Sequence, residues 1–116
     1  MTTTEKPIFD NDFFNGVTDG DEEFKDALIK IFISSTENQI IEIKKVAYST
    51  ECDQNNWYSA LHSLKGSCSS IGAIKLTSFI IDKQSMSEEL NTEDKIEAYE
   101  EIHRLLGEVK SEILKI

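Results

Sequence analysis

Residues 57–72 read WYSALHSLKGSCSSIG, and this stretch decides the fold. Its apolar side chains recur at intervals of three or four residues, which is the spacing of one face of an α-helix. They are Trp57, Leu61, Leu64, Cys68 and Ile71. Gly72 follows at the position where a left-handed residue commonly ends a helix. We therefore predict an amphipathic helix that ends at Gly72 and turns its other face to solvent.

The segments on either side of this stretch repeat the helical pattern. The single proline, Pro7, lies near the start, and clusters of glycine and small polar residues divide the rest of the chain. We predict a short helix over 10–14 with Asp10 as its N-cap, and longer helices over about 21–47, 56–71, 73–90 and 93–116. No window shows the alternation typical of a strand. The predicted fold is all-α: an antiparallel four-helix bundle with the short N-terminal helix as a cap.

The same spacing assigns side chains to the core of the bundle. In the second helix the predicted stripe is Phe24, Leu28, Ile31, Phe32, Thr36, Ile40, Ile43 and Ala47. In the fourth it is Leu76, Phe79, Ile80, Met86 and Leu90, interrupted by Lys83. We interpret Trp57 and the phenylalanines as core residues. A chain of 116 residues suits one domain, and residues 1–8 are expected to be a flexible lead-in.

Charge and hydropathy exclude several classes of partner. Acidic residues outnumber basic ones by 22 to 12, giving a formal net charge of -10, and no stripe of lysine or arginine is present. Nucleic acid and anionic membrane surfaces are therefore not expected partners. No apolar stretch approaches the roughly 20 residues of a membrane-spanning helix, and the N-terminus lacks the pattern of a secretory signal. We expect a soluble cytoplasmic domain.

His62 is the residue of the third helix most suited to chemistry. At about 100° per residue it points about 140° away from the centre of the apolar stripe, so its imidazole is predicted to face solvent. Gly66 lies one turn further along the same face, where the missing side chain leaves room beside the ring. Lys65 lies on the neighbouring edge of that face, and Ser69 lies beyond Gly66, where its hydroxyl could donate a hydrogen bond.

The run from His62 to Gly72 closely resembles the histidine-containing phosphotransfer domains of multistep two-component signalling. Their signature is a histidine followed by Lys-Gly at the third and fourth positions and by a later glycine. The resemblance implies that His62 accepts a phosphoryl group from a receiver-domain aspartate, or from a kinase, and yields it to another receiver. It also implies that Lys65 stabilises the phosphoryl charge and that Gly66 provides access.

The same resemblance points to Gln84 on the fourth helix. Members of the family tend to have a glutamine or glutamate there, which hydrogen-bonds the imidazole nitrogen that is not phosphorylated. Gln84 is predicted to lie on the flank of its helix, about 100° from the centre of the apolar stripe. A hydrogen bond to one ring nitrogen would fix the tautomer and leave the lone pair of the other free. Lys83, just before it, departs from the apolar residue common in the family.

The sequence has no glycine-rich phosphate loop and no acidic cluster with metal-ligand spacing. We therefore expect neither ATP binding nor autophosphorylation, and no cofactor or metal of its own. The Mg²⁺ used in phosphoryl transfer is expected on the receiver domain. By this reasoning the chain is a phosphorylated relay intermediate, which is not an enzyme in its own right.

The remaining histidine and the cysteines receive structural interpretations. His103 lies on the edge of the last helical stripe without a lysine at the matching distance, and a structural or surface role is predicted for it. Cys52 and Cys68 are expected to be reduced thiols. A zinc site made from the two cysteines and the two histidines lacks the paired short spacings of such sites.

The expected partners are receiver domains of response regulators or of a hybrid histidine kinase. They would dock over the third helix and the adjoining part of the second, through a mostly apolar surface around His62. A competing hypothesis keeps the bundle but makes it a binding module that sequesters a receiver or sensor kinase without accepting phosphate. The initial Met favours a free-standing protein over the excised domain of a hybrid kinase, and a monomer is expected.

Overall fold

Five helices make up the part of the chain that the computed structural model describes, which comprises residues 7–49, 54–86 and 90–115. They are α1 (Asn11–Thr18), α2 (Glu22–Tyr48), α3 (Gln54–Ile71), α4 (Ile74–Ser85) and α5 (Thr92–Ile113). Most of the predicted lead-in and Cys52 lie outside the described residues. Over these ranges there is no strand, and no helix is both long and apolar enough to cross a membrane.

Side-chain caps set the start of three helices. The Asp10 carboxylate accepts a hydrogen bond from the backbone N–H of Phe13 at 3.0 Å, so the predicted N-cap of α1 is confirmed. Asp21 caps α2 in the same way through the N–H of Phe24 at 3.1 Å. At α5, Asn91 and Asp94 form a reciprocal capping box. Each cap satisfies backbone donors that the first turn of a helix leaves without a partner.

The four longer helices form a closed bundle. α2 packs against α3 and α5, and α4 packs against the same two helices, so each helix has two neighbours around one core. Trp57, Leu61 and Leu64 of α3 are fully buried there, together with Ile80 of α4 and Ile102 of α5. Short connections make consecutive helices antiparallel neighbours. The predicted all-α, four-helix bundle is thus confirmed.

The short α1 closes one end of the bundle, at the turn between α3 and α4. The backbone N–H of Asp10 donates to the carbonyl of Gly72 at 2.9 Å, and the N–H of Lys75 donates to the carbonyl of Pro7 at 3.1 Å. Gly72 has a φ of +87°, and a Cβ at this position would lie 3.0 Å from Cδ2 of Phe13. Glycine is therefore required here both by the left-handed backbone and by the close approach of α1.

Three predicted helix ends are wrong, one of them that of α5, which ends at Ile113 and not at residue 116. α1 continues beyond residue 14 to Thr18, because Thr18 is buried and its hydroxyl donates to the Phe14 carbonyl at 2.9 Å; left-handed Asp19 then ends it. α4 ends at Ser85 and does not reach residue 90. Met86 is its exposed C-cap, whereas Leu90 packs against the core from the connection to α5.

Three phenylalanine and isoleucine side chains predicted to be core are exposed. Phe24 of α2 is 44% exposed, Ile31 is 61% exposed and Phe13 of α1 is 43% exposed. The buried residues of α2 are Phe32, Thr36, Ile43 and Ala47. Measured at about 100° per residue, Phe24 and Ile31 lie more than about 100° from the centre of that buried face. The stripe predicted from spacings of three or four residues therefore rotates away from the buried face along this long helix.

Candidate functional site

His62 lies on the solvent face of α3, as the helical arithmetic predicts. Its side chain is exposed, while Leu61 and Leu64 on the opposite face are fully buried. The helix is fixed on the bundle by these apolar neighbours, so the imidazole is displayed from a rigid element. Such a ring can meet another macromolecule without any rearrangement of the core.

The space next to the imidazole is open at Gly66. A Cβ placed at Gly66 would meet no heavy atom within 4 Å, so any side chain there would extend into solvent beside His62. Lys65 is half-buried, and its ammonium group forms no ion pair with any residue that the structure describes. An uncommitted cation and an open volume therefore lie on the two edges of the same helical face.

Ser69 is exposed at the far end of this face. Its hydroxyl donates to the carbonyl of Gly66 at 3.3 Å, which directs the hydrogen back to its own helix. The hydroxyl oxygen keeps its acceptor lone pairs. A hydrogen bond from Ser69 to a phosphoryl group remains a prediction and requires this internal bond to open.

Gln84 lies where α4 packs on α3. It is 7% exposed, and its side-chain nitrogen donates to the backbone carbonyl of Tyr58 at 3.4 Å. In an α-helix that carbonyl also accepts the backbone N–H of His62, four residues later. Gln84 thus continues the buried stripe of Leu76 and Ile80 and does not lie on its flank as predicted. Its predicted bond to the imidazole itself stays a prediction.

A second ring lies parallel to the imidazole. The ring centroids of Tyr58 and His62 are 6.2 Å apart with an interplanar angle of 11°. Tyr58 is 47% exposed and stands one turn before His62 on the same side of α3. Tyr58 was not among the predicted site residues, although its spacing of four residues from His62 was a usable signal.

Shallow grooves flank the outward face of α3 on both sides. One groove, of about 350 Å³, is lined by Phe13 of α1, Ser69 of α3 and Ile81 of α4, among others. A smaller one lies against α2 and includes Ile31 and Ser70. Exposed apolar side chains therefore border the His62 face on the sides of α1, α2 and α4.

Comparison with known proteins identifies this architecture. No family model and no curated protein matches the chain. Solved structures do match, among them one from rice and one from maize. One is a rice protein described as a histidine-containing phosphotransfer protein: the TM-score is 0.80 at 16% sequence identity, over 92% of this chain and 79% of that one. The other is a histidine-containing phosphotransfer protein from maize: the TM-score is 0.77 at 19% identity, over 93% of this chain and 88% of that one.

The chain has the histidine-phosphotransfer fold. This finding confirms the resemblance drawn from the His62 to Gly72 run, because the likeness extends over nearly the whole chain. Lys83, which departs from the family pattern, places its ammonium group 5.2 Å from the centroid of the Phe79 ring. A cation over an aromatic face is a favourable contact, so the charge at this position is accommodated without disturbing Gln84 beside it.

This chain has a second exposed histidine, His103 of α5. Tyr99 precedes it by four residues and Gly107 follows it by four, the same spacings that Tyr58 and Gly66 have from His62. A Cβ at Gly107 would also meet nothing within 4 Å. The shared spacing of tyrosine, histidine and glycine was not predicted as a feature, although it can be read from the sequence alone.

The charges around the two histidines differ. Leu106 occupies the position that corresponds to Lys65, and its side chain is buried. The neighbouring cation, Arg104, donates to Glu101 at 2.9 and 2.6 Å and to Glu108 at 2.7 Å. The hydrogen bonds that Glu101 accepts from Arg104 lower the pKa of its carboxyl group. Arg104, the residue next to His103, is therefore engaged by two carboxylates.

Cys68 lies in the interior of the bundle, where the predictions of a reduced thiol and of no zinc site can be compared with the structure. Cys68 is a free thiol, and burial raises its pKa from 9.0 to about 12. Among the residues in the described ranges, no group of three histidine, cysteine or acidic side chains is placed to hold a metal ion. Cys68 faces the core while His62 faces solvent, so these two members of the disfavoured zinc set lie on opposite sides of α3.

Proposed function

We propose that this chain is a phosphorelay intermediate that accepts a phosphoryl group on His62 from the aspartyl phosphate of a receiver domain and passes it to another receiver. The observation that carries the proposal is the outward face of α3. There an exposed imidazole, an open volume at Gly66 and the ammonium group of Lys65, which has no ion-pair partner among residues 7–49, 54–86 and 90–115, occur together within the phosphotransfer fold.

The chemistry requires little from the bundle beyond position and charge. A neutral imidazole has one ring nitrogen whose lone pair is free to attack phosphorus. As the nitrogen–phosphorus bond forms, the bond from phosphorus to the aspartyl oxygen breaks, and the carboxylate leaves with the electron pair. Transfer to the next receiver reverses these roles. Mg²⁺ held by the receiver would neutralise charge on the transferring group.

Lys65 and Gly66 contribute differently to this step. The phosphoryl group carries negative charge on its equatorial oxygens, and Lys65 follows His62 by three residues, a spacing at which its ammonium group can attract that charge. Gly66 lets the partner surface approach to within reach of the imidazole. Because reacting atoms must come within about 3–3.5 Å of each other, a bulky side chain at position 66 would keep the donor too far away.

The docking surface for the receiver is proposed to be the outward face of α3 with its two bordering grooves. Ile31 of α2, Phe13 of α1 and Ile81 of α4 are exposed around it and would lose apolar surface to solvent on docking. We thus add α1 and α4 to the α2–α3 surface expected from the sequence. We propose that the chain acts as a cytoplasmic monomer, catalyses no reaction of its own and receives phosphate from a receiver or hybrid kinase.

Incubation with a radiolabelled phospho-receiver tests the proposal. Wild-type protein should acquire a label that is acid-labile and base-stable, and should lose it when a second, unphosphorylated receiver is added. His62→Gln should acquire no label, whereas His103→Gln, the matched control, should be labelled like the wild type. A chain that binds the phospho-receiver in a pull-down but never takes up label would instead be the binding module considered above.

A further inference from the structure

We infer that Tyr58 is a positioning residue for His62: its ring stacks on the imidazole and holds the acceptor nitrogen in the direction from which phosphorus approaches. The inference rests on the proposed function and adds to it a residue for which the resemblance implies no role. It starts from the near-parallel arrangement of the two rings, with an interplanar angle of 11°.

The stack lies on a backbone that is fixed from below. Trp57, which directly precedes Tyr58, and Leu61, which directly precedes His62, are fully buried. The carbonyl of Tyr58 accepts the hydrogen bond from Gln84 of α4, which is itself buried. The turn of helix from which both rings project is therefore tied to the neighbouring helix, and only the side-chain torsions of the two rings remain to be set.

The geometry leaves the reacting nitrogen accessible. A ring nitrogen's lone pair lies in the plane of the imidazole, so a ring stacked on one face does not obstruct it. In a helix, long side chains lean toward the N-terminus, which places the imidazole over the turn that carries Tyr58. The open volume at Gly66 lies on the opposite side, one turn further along. The parallel, offset ring of Tyr58 lies on one side of the imidazole, with the centroids 6.2 Å apart, while Gly66 leaves the approach clear.

The comparison with His103 shows that the arrangement at His62 is distinctive. Tyr99 and His103 have the same sequence spacing, yet their rings are tilted by 41° at 5.9 Å. Tyr99 is also engaged edge-on by Tyr48 at 6.2 Å. The Tyr58 ring, in contrast, has His62 as its one aromatic partner among the residues described. Because no other described aromatic ring contacts Tyr58, its ring can stay parallel to the imidazole and limit the imidazole's rotation.

Phosphoramidate provides a test that needs no docking partner. In this reaction the imidazole nitrogen attacks phosphorus, the phosphorus–nitrogen bond of the reagent breaks and ammonia leaves. Tyr58→Ala should slow the labelling of His62 by roughly threefold to tenfold, the range expected for loss of one aromatic pair. Tyr58→Phe, which keeps the ring, should react at the wild-type rate. Tyr48→Ala removes a tyrosine of similar exposure, 49% against 47%, and should leave the rate unchanged.

NMR of the unphosphorylated protein supplies a second measurement, which would not change if Tyr58 only stabilised the fold. The ring-current shift of the His62 imidazole protons should be present in wild type and Tyr58→Phe and absent in Tyr58→Ala, with the His103 signals unchanged in all three. Wild-type ring shifts and rate in Tyr58→Ala would overturn the inference. So would Tyr58→Phe behaving like Tyr58→Ala, because the effect would then belong to the hydroxyl. A receiver that fails to label wild type would refute the proposed function, while the ring shifts would still decide the role of Tyr58.

Discussion

At the scale of single residues, the chain contains its own control for the proposed site. His62 and His103 are both exposed, and each has a tyrosine four residues before it and a glycine four residues after it. They differ at the third position after the histidine: Lys65 forms no ion pair within the described part of the chain, whereas Leu106 is buried. Arg104, the cation next to His103, forms ion pairs with Glu101 and Glu108. The residue at this position and the angle between the two rings, 11° at His62 against 41° at His103, therefore distinguish the two sites.

Gly66 is predicted to matter for access and not for folding. Gly66→Leu should reduce phosphotransfer from a receiver by on the order of a hundredfold, because the new side chain fills the volume beside His62. Since the space there is open and leucine favours helix more than glycine does, helicity should be kept.

Gly107→Leu is the matched control, with equally open space at a helical glycine. Stopped assays with a labelled receiver measure transfer, and circular dichroism measures helicity. Wild-type transfer by Gly66→Leu would show that access at this position is not limiting.

Cys68 is predicted to be chemically silent while the bundle is folded. Its thiol is fully buried and its pKa is raised to about 12, so little reactive thiolate forms near neutral pH. In a Cys52→Ser variant, the remaining thiol should react with an aromatic disulfide reagent at pH 8 only as fast as the protein unfolds. Rapid reaction under native conditions would contradict its burial.

The same shift gives the sign of a pH effect on stability. Because the folded-state pKa of Cys68 is raised, the folded protein retains this proton more tightly than the unfolded chain. The resulting stabilisation is fully present below about pH 9 and is lost as the pH rises toward 12. Cys68→Ala should remove this part of the alkaline loss of stability.

At the scale of elements, the helices were predictable because each has its own apolar period and several have capping residues. The start of α2 and the end of α3 were placed within a residue or two, since Asp21 and Gly72 are strong local signals. The core face of α2 was read less well. Local spacing cannot reveal how far a 27-residue helix drifts relative to its neighbours, and Phe24 and Ile31 were assigned to the wrong face as a result.

The turn between α3 and α4 is the most sensitive element of the fold. Gly72→Ala forces a Cβ into a left-handed backbone and against Phe13, so it should lower the free energy of unfolding by about 1–2 kcal/mol. Gly107→Ala, in open helix interior, should instead raise it by about 0.5–1 kcal/mol. Urea denaturation followed by circular dichroism measures both. Equal stability of the two variants would show that the close approach of α1 is not tightly held.

At the scale of the whole molecule, a short motif led to the correct fold although sequence identity to the matching structures is only 16% and 19%. The motif succeeded because it combines a solvent-facing histidine with an interior glycine that helix stability alone would disfavour. Contacts between helices could not be predicted from the motif. The hydrogen bond from Gln84 to Tyr58 depends on the register of α4 against α3, which neither helix specifies by itself. Ring stacking at His62 depends on side-chain torsions and became visible only in the structure.

Mapping the modified residue is the most direct test of the account. The protein would be incubated with a phosphorylated receiver, kept at neutral to basic pH and fragmented in the mass spectrometer. We expect a mass increment of one phosphoryl group, located on His62 and on no other residue. A phosphoryl group on His103, or an unmodified chain beside a receiver that loses phosphate only at its own hydrolysis rate, would contradict the account.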